Sequence, residues 1–246
     1  YSFDGLIPVG NWDLMGSNIS PHMGAYMKYK YGGWIDNIPE ITEPGEYELN
    51  HLVSSVNNAY RIDSPNSSGE YFVIEYRKKE GVFESLLPGE GLLVYRINPS
   101  VIGNSQGPPD EVYIFRPDGT TNLGGYVGLA ALSSNSGRTE ISDFTNPSCF
   151  FSDGSPGGIS IKNIGAIGDK ITFDVNWSGN LEIESPDGGE EFVNGSYVHI
   201  NWNRNYSEKV TLELHNNEGF VSKIIDETEN DGAFIWRPAN IPFGED

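Results

Sequence analysis

The sequence predicts a mainly β fold with a single short helix near its start, and three observations carry that reading. The 246 residues are 37% apolar and 12% aromatic, with 30 glycines and 15 prolines, a mixture suited to short strands joined by tight turns. Several apolar runs alternate with a period close to two, the spacing that puts every second side chain on one face of a sheet. Turn residues recur roughly every ten positions over the last third of the chain, as in a small sandwich.

Taken in order, residues 1–20 carry glycine, proline and asparagine at close intervals and read as an ordered loop. From Pro21 to Trp34 the period changes. Met23, Tyr26, Met27 and either Tyr29 or Lys30 fall at helical spacing, with Ser20 and Pro21 as cap and first-turn residues and Gly32–Gly33 as the stop. Residues 46–53, 70–77, 91–97, 111–116, 157–164 and 170–177 then read as strands of a twisted sheet or sandwich. After Trp177 a new series begins around LEIESP, YVHINWN, VTLELHN, FVSKIID and AFIWRP. Its five strands fall short of the roughly seven of an immunoglobulin-like sandwich, so this last domain is expected to be truncated. The expected organisation is residues 1–35, a β-rich domain at 36–178, and an immunoglobulin-like sandwich at 181–246.

Charge and composition exclude several function classes. With 35 acidic and 15 basic residues the formal net charge is −20, which repels phosphate backbones and anionic membrane surfaces, so nucleic acid is not an expected partner. No run approaches ~18 apolar residues, so membrane insertion is not expected either. The chain opens at Tyr1 with no signal-peptide pattern, which fits a cytosolic protein or one whose beginning lies elsewhere. Cys149 is the only cysteine, so no intramolecular disulfide and no zinc finger is expected. Calcium has no support: the acidic stretch Asp226, Glu227, Glu229 and Asp231 before Gly232 has the wrong register for a calcium loop.

Candidate chemical constellations are few. His22, His51, His199 and His215 stand apart, none within five residues of another, so the chain offers no pair of zinc ligands one helical turn apart. Gly103-Asn104-Ser105-Gln106-Gly107 matches the G-x-S-x-G string of serine hydrolases, but Pro108 and Pro109 forbid the helix that must follow the nucleophile. N-x-[ST] strings at Asn18, Asn66, Asn176, Asn194 and Asn205 read as chance in a chain rich in Asn and Ser. Tyr126, Tyr197, Trp202, Tyr206 and Trp236 read as strand-face core, with a glycan-stacking platform as the alternative.

The string Val9-Gly10-Asn11-Trp12-Asp13-Leu14-Met15 resembles the methionine turn of the immune inhibitor A family of secreted zinc metallopeptidases. The helix at Pro21–Trp34 and the runs 70–77 and 87–95 resemble, in the same order, segments that follow the turn in that family. The similarity covers residues 7 to 176. It implies that Met15 is an apolar floor beneath a zinc ion it does not coordinate, with Trp12 and Asp13 supporting the turn. The zinc-binding H-E-x-x-H helix of the family is absent from this sequence. The tail from Glu184 through Ile200-Asn201-Trp202 to Trp236 resembles a sandwich module that recurs in secreted and cell-surface proteins.

These resemblances imply an extracellular or cell-surface location and a role as the downstream scaffold of a zinc-dependent peptidase whose partners are protein or peptide substrates. Zinc is expected in the parent, and the chain alone is expected to be inactive. The alternative is a non-catalytic adhesion or glycan-binding protein.

Overall fold

The computed structural model describes residues 7–16, 21–67, 69–177, 182–193, 195–202, 209–216 and 219–238. The chain divides into two compact units, Tyr1–Trp177 and Ser178–Asp246. It is mainly β, as its turn-rich, alternating sequence requires.

The first unit begins with loop turns and a short helix, α1 (Ala25–Met27), that widens into a π-type turn at Lys28–Gly32. Gly33 closes it with φ +60°, a left-handed conformation that glycine adopts without strain. The helix starts at Ala25 rather than at Pro21, and Ser20 lies outside the described residues. The reason is tertiary. The N–H groups of Gly24 and Ala25, which no helical carbonyl can serve, donate to the carboxylates of Asp13 and Glu75.

Eight strands follow: β1 (Glu40–Ile41), β2 (Gly45–Asn50), β3 (Ala59–Asp63), β4 (Tyr71–Arg77), β5 (Gly91–Ile97), β6 (Val112–Ile114), β7 (Ile159–Lys162) and β8 (Lys170–Trp177). A second short helix, α2 (Gly81–Glu84), lies between β4 and β5. One sheet has the order β1-β3-β4-β5-β6, the other β2-β8-β7; β1 and β3 pair in parallel, and the other neighbouring strands among the described residues are antiparallel. In β8 the alternation is plain: Ile171, Phe173 and Val175 are buried, Lys170 and Thr172 exposed, because one face of its sheet meets water.

The five-stranded sheet is covered on both faces. Phe72, Ile74 and Tyr76 of β4 and Leu92 and Val94 of β5 pack against Leu49, Ile159, Ile161, Ile171 and Phe173 of the other sheet. The opposite face, with Val73, Leu93, Tyr95 and Ile97, is covered by Trp12, Ala25, Tyr26, Leu52, Leu87 and Ala131. Residues 7–16 and 21–34 belong to the first unit, and Trp12, Ala25 and Tyr26 among them supply much of the cover on this second apolar face. Every residue of β5 is buried in consequence, and the charged residues of β4 that share the second face, Glu75 and Arg77, are fully buried too.

The second unit has strands β9 (Ile183–Ser185), β10 (Val198–Trp202), β11 (Lys209–Asn216), β12 (Gly219–Glu229) and β13 (Ala233–Trp236). They form a sheet β13-β10-β9 and a hairpin β11-β12. Val198, Ile200 and Trp202 of the sheet meet Val210 and Leu212 of the hairpin, with Phe234 and Trp236 partly buried beside them. The Trp202 indole N–H donates to Asn230 Oδ1 at 2.7 Å, the usual requirement for a buried indole.

Candidate functional site

The site grows from residues 7–16, which make two successive 3₁₀ turns, Gly10–Trp12 and Leu14–Gly16. Gly10 sits at φ +54°, and a Cβ at Gly16 would stand 2.6 Å from the Gly10 carbonyl oxygen, so the double turn closes only with glycine at both ends. Trp12 is fully buried and its indole N–H donates to the Val127 carbonyl at 2.6 Å. Asp13 is buried and spends one oxygen on the Met15 N–H at 2.9 Å and the other on the Gly24 N–H at 2.6 Å. One carboxylate thus ties the turn to the start of α1. Met15 itself is 70% exposed.

A buried ionic network fastens this turn to the sheet. The Arg77 guanidinium donates to Glu84 at 2.7 Å from both Nε and Nη2, to Glu75 Oε1 at 3.0 Å, and to the carbonyl of Trp12 at 2.6 Å. A longer bond reaches the carbonyl of His22 at 3.4 Å. Glu75 also accepts from the Ala25 N–H at 2.6 Å and the Tyr95 hydroxyl at 2.5 Å, and Glu84 from the His22 N–H at 2.9 Å. Burial alone lowers the proton affinity of Arg77, but Glu75 and Glu84 outweigh it and hold the guanidinium charged. Burial and the Glu75 carboxylate push the Tyr95 hydroxyl well above its ordinary value, so it stays a donor. Two carboxylates and one guanidinium are acceptable in this interior because each is multiply hydrogen-bonded.

A second carboxylate cluster forms at Glu111, whose side chain is 1% exposed. It accepts from the Tyr26 hydroxyl at 2.7 Å, Lys30 Nζ at 2.5 Å, the Tyr31 hydroxyl at 2.6 Å and the Gly103 N–H at 2.5 Å. Burial opposes its charge, yet these four donors together lower its pKa. The Tyr31 hydroxyl moves the other way, to about 12, through burial and its bond to Glu111.

Between the two clusters lies a cavity of about 480 Å³. Its walls include Met15, Met23, Met27, Ile102, Val112 and Tyr26, and the carboxyl-bearing Asp13 and Glu111 also border it. Ser105 of the G-x-S-x-G string reaches the cavity, but no histidine does, so the serine has no base there. His22 contributes main-chain atoms to the ionic network while its ring packs edge-on against Phe83, and burial lowers its pKa.

No protein-family model, curated protein or solved structure matches this chain.

Among the described residues no group of three or more His, Cys, Asp or Glu side chains is placed to hold a metal ion. The described residues therefore do not fit a zinc site or a calcium site. No described helix is long and apolar enough to cross a membrane. Of the aromatic residues weighed as a glycan platform, Trp202 is buried and Trp236 half-buried in the second unit's core, Tyr126 and Tyr197 are exposed, and Tyr206 lies outside the described residues. Asn18, Asn194 and Asn205 lie outside them as well.

Met15, Trp12 and Asp13 are brought together on the one double turn. The residues that hold it, Glu75, Arg77, Glu84 and Tyr95, were not singled out from the sequence. A signal was present: Glu75 and Arg77 fall two apart in an otherwise apolar strand, which puts both charges on one face.

Proposed function

We propose that this chain is the part of a secreted zinc metallopeptidase that follows the zinc-binding helix, and that it serves as scaffold rather than as the source of catalytic groups. The observation that carries the reading is an exposed methionine on an immobilised turn. Met15 presents its side chain outward while Trp12 is locked in the core and Asp13 and Arg77 fix the backbone on either side. A floor beneath a metal centre needs an apolar, non-coordinating side chain held in place by its surroundings. In this reading zinc and its ligands belong to a preceding portion of the protein, the parent's partners are protein or peptide substrates, and the location is extracellular or at the cell surface.

The test is a comparison of residues 1–246 with a longer protein carrying the upstream coding region. Cleavage of casein that is blocked by 1,10-phenanthroline is expected from the longer protein only, with zinc retained less well in its Met15→Ala variant. Zinc-dependent cleavage by residues 1–246 alone would sink the reading, as would an upstream region with no H-E-x-x-H motif; the second outcome would favour a non-catalytic binding protein.

A further inference from the structure

The cavity between the two carboxylate clusters has a chemistry that a scaffold role does not require. Its volume of about 480 Å³ falls in the range in which proteins hold small organic molecules. Met15, Met23 and Met27 on its walls are all three methionines of the chain. Unbranched thioethers reshape at low cost and make favourable contacts with aromatic rings, so such a wall adapts to a ring-shaped occupant.

Apart from Ser105 at the border, the polar side chains that line the cavity are already engaged with other groups of the chain. Both Asp13 oxygens are taken by backbone N–H groups, Glu111 accepts from four donors, and the Tyr95 hydroxyl donates to Glu75. The edge strand β6 is committed as well. The Val112 N–H and carbonyl are both paired with the Asn104 side chain at 3.0 and 2.8 Å, and the Ile114 N–H donates to the Pro8 carbonyl at 3.0 Å. An extended peptide cannot add to that edge, because its main-chain groups would find no partners there. Anionic ligands are disfavoured by Asp13 and Glu111 in the wall and by the net charge of −20.

We infer that this cavity is a binding site for a compact, neutral, aromatic small molecule. The binding is a property of residues 1–246 and does not depend on the metallopeptidase reading.

The experiment titrates the 246-residue chain with N-phenyl-1-naphthylamine, followed by its fluorescence, and in parallel with 1-anilinonaphthalene-8-sulfonate, the same ring skeleton bearing a negative charge. Saturable one-to-one binding of the neutral probe is expected, at least tenfold tighter than that of the anion. Met23→Glu should weaken the neutral probe at least tenfold. Ile102→Glu at the cavity rim, where the residue is 84% exposed, should do the same without threatening the fold. Val82→Glu, on the exposed surface of α2, should bind as the parent does. The inference is overturned by non-saturable binding, by equal affinity for the anion, by binding that survives both wall substitutions, or by displacement of the probe more readily by a neutral apolar decapeptide than by naphthalene.

Discussion

Arg77→Met removes the guanidinium from the centre of the ionic network while keeping a side chain of similar length. Five hydrogen bonds are lost, to Glu84 twice, to Glu75, and to the carbonyls of Trp12 and His22. Glu75 and Glu84, both essentially without solvent contact, lose their cationic partner. Removing one member of a buried ion pair costs about 3–5 kcal/mol, because the remaining charge stays buried and uncompensated. For a folded body of this size each kcal/mol shifts Tm by about 2–4 °C, so the first unit's transition should fall by about 6–20 °C. Differential scanning calorimetry at pH 7 measures the shift, and amide exchange at Ala25 should quicken, since its acceptor Glu75 loses the guanidinium that holds it. Replacing the set together, with Arg77→Met, Glu75→Gln and Glu84→Met, should recover at least half of the loss, because no unpaired charge remains. A fall of less than about 2 °C for the single variant, or a triple variant no better than the single, would refute the claim that this network holds the turn to the sheet.

Two further outcomes follow from titratable groups, one half-buried and one fully buried. The folded-state pKa of His22 is lowered, first by burial and then by Lys28, so the unfolded chain binds the proton more readily and stability falls as pH drops below the unfolded value of about 6.5, levelling off below the folded value. The difference in Tm between the parent and His22→Asn, followed from pH 8 to pH 5, should change in that window, and a constant difference would contradict the assignment. Burial raises the Cys149 thiol well above its ordinary value, so Ellman's reagent should titrate it only after unfolding; labelling of the native chain at the rate of a free thiol would show it to be accessible.

The legible parts of the fold are those whose pattern is set locally. Strand β5 runs from Gly91 to Ile97 and β8 from Lys170 to Trp177, as the apolar runs and their flanking turns indicate. Strand β3, AYRID, mixes charge with apolar residues, and its place is decided by pairing with β4 along its whole length. Helix α2 is one turn of residues with no amphipathic period to read. The start of α1 moved from Pro21 to Ala25 because carboxylates from residues 11 and 50 positions away satisfy its first amides. The site was legible to the same extent. Trp12, Asp13 and Met15 lie within one short string, whereas Glu75 and Arg77 look solvent-facing in an alternating strand until a second layer is known to cover that face.

The covering of the five-stranded sheet by Trp12, Ala25 and Tyr26 also sets an order of events during synthesis. Tyr26 finds its acceptor Glu111 85 residues later, and Arg77 and Tyr95 likewise emerge after the turn they fasten. At about 5–20 residues per second a ribosome needs roughly 4–17 s to supply that partner. Through this interval Trp12, Tyr26 and the methionines are nascent apolar chain without a sheet to cover, a window in which a holding chaperone would have its substrate and in which slower translation would lengthen the exposure.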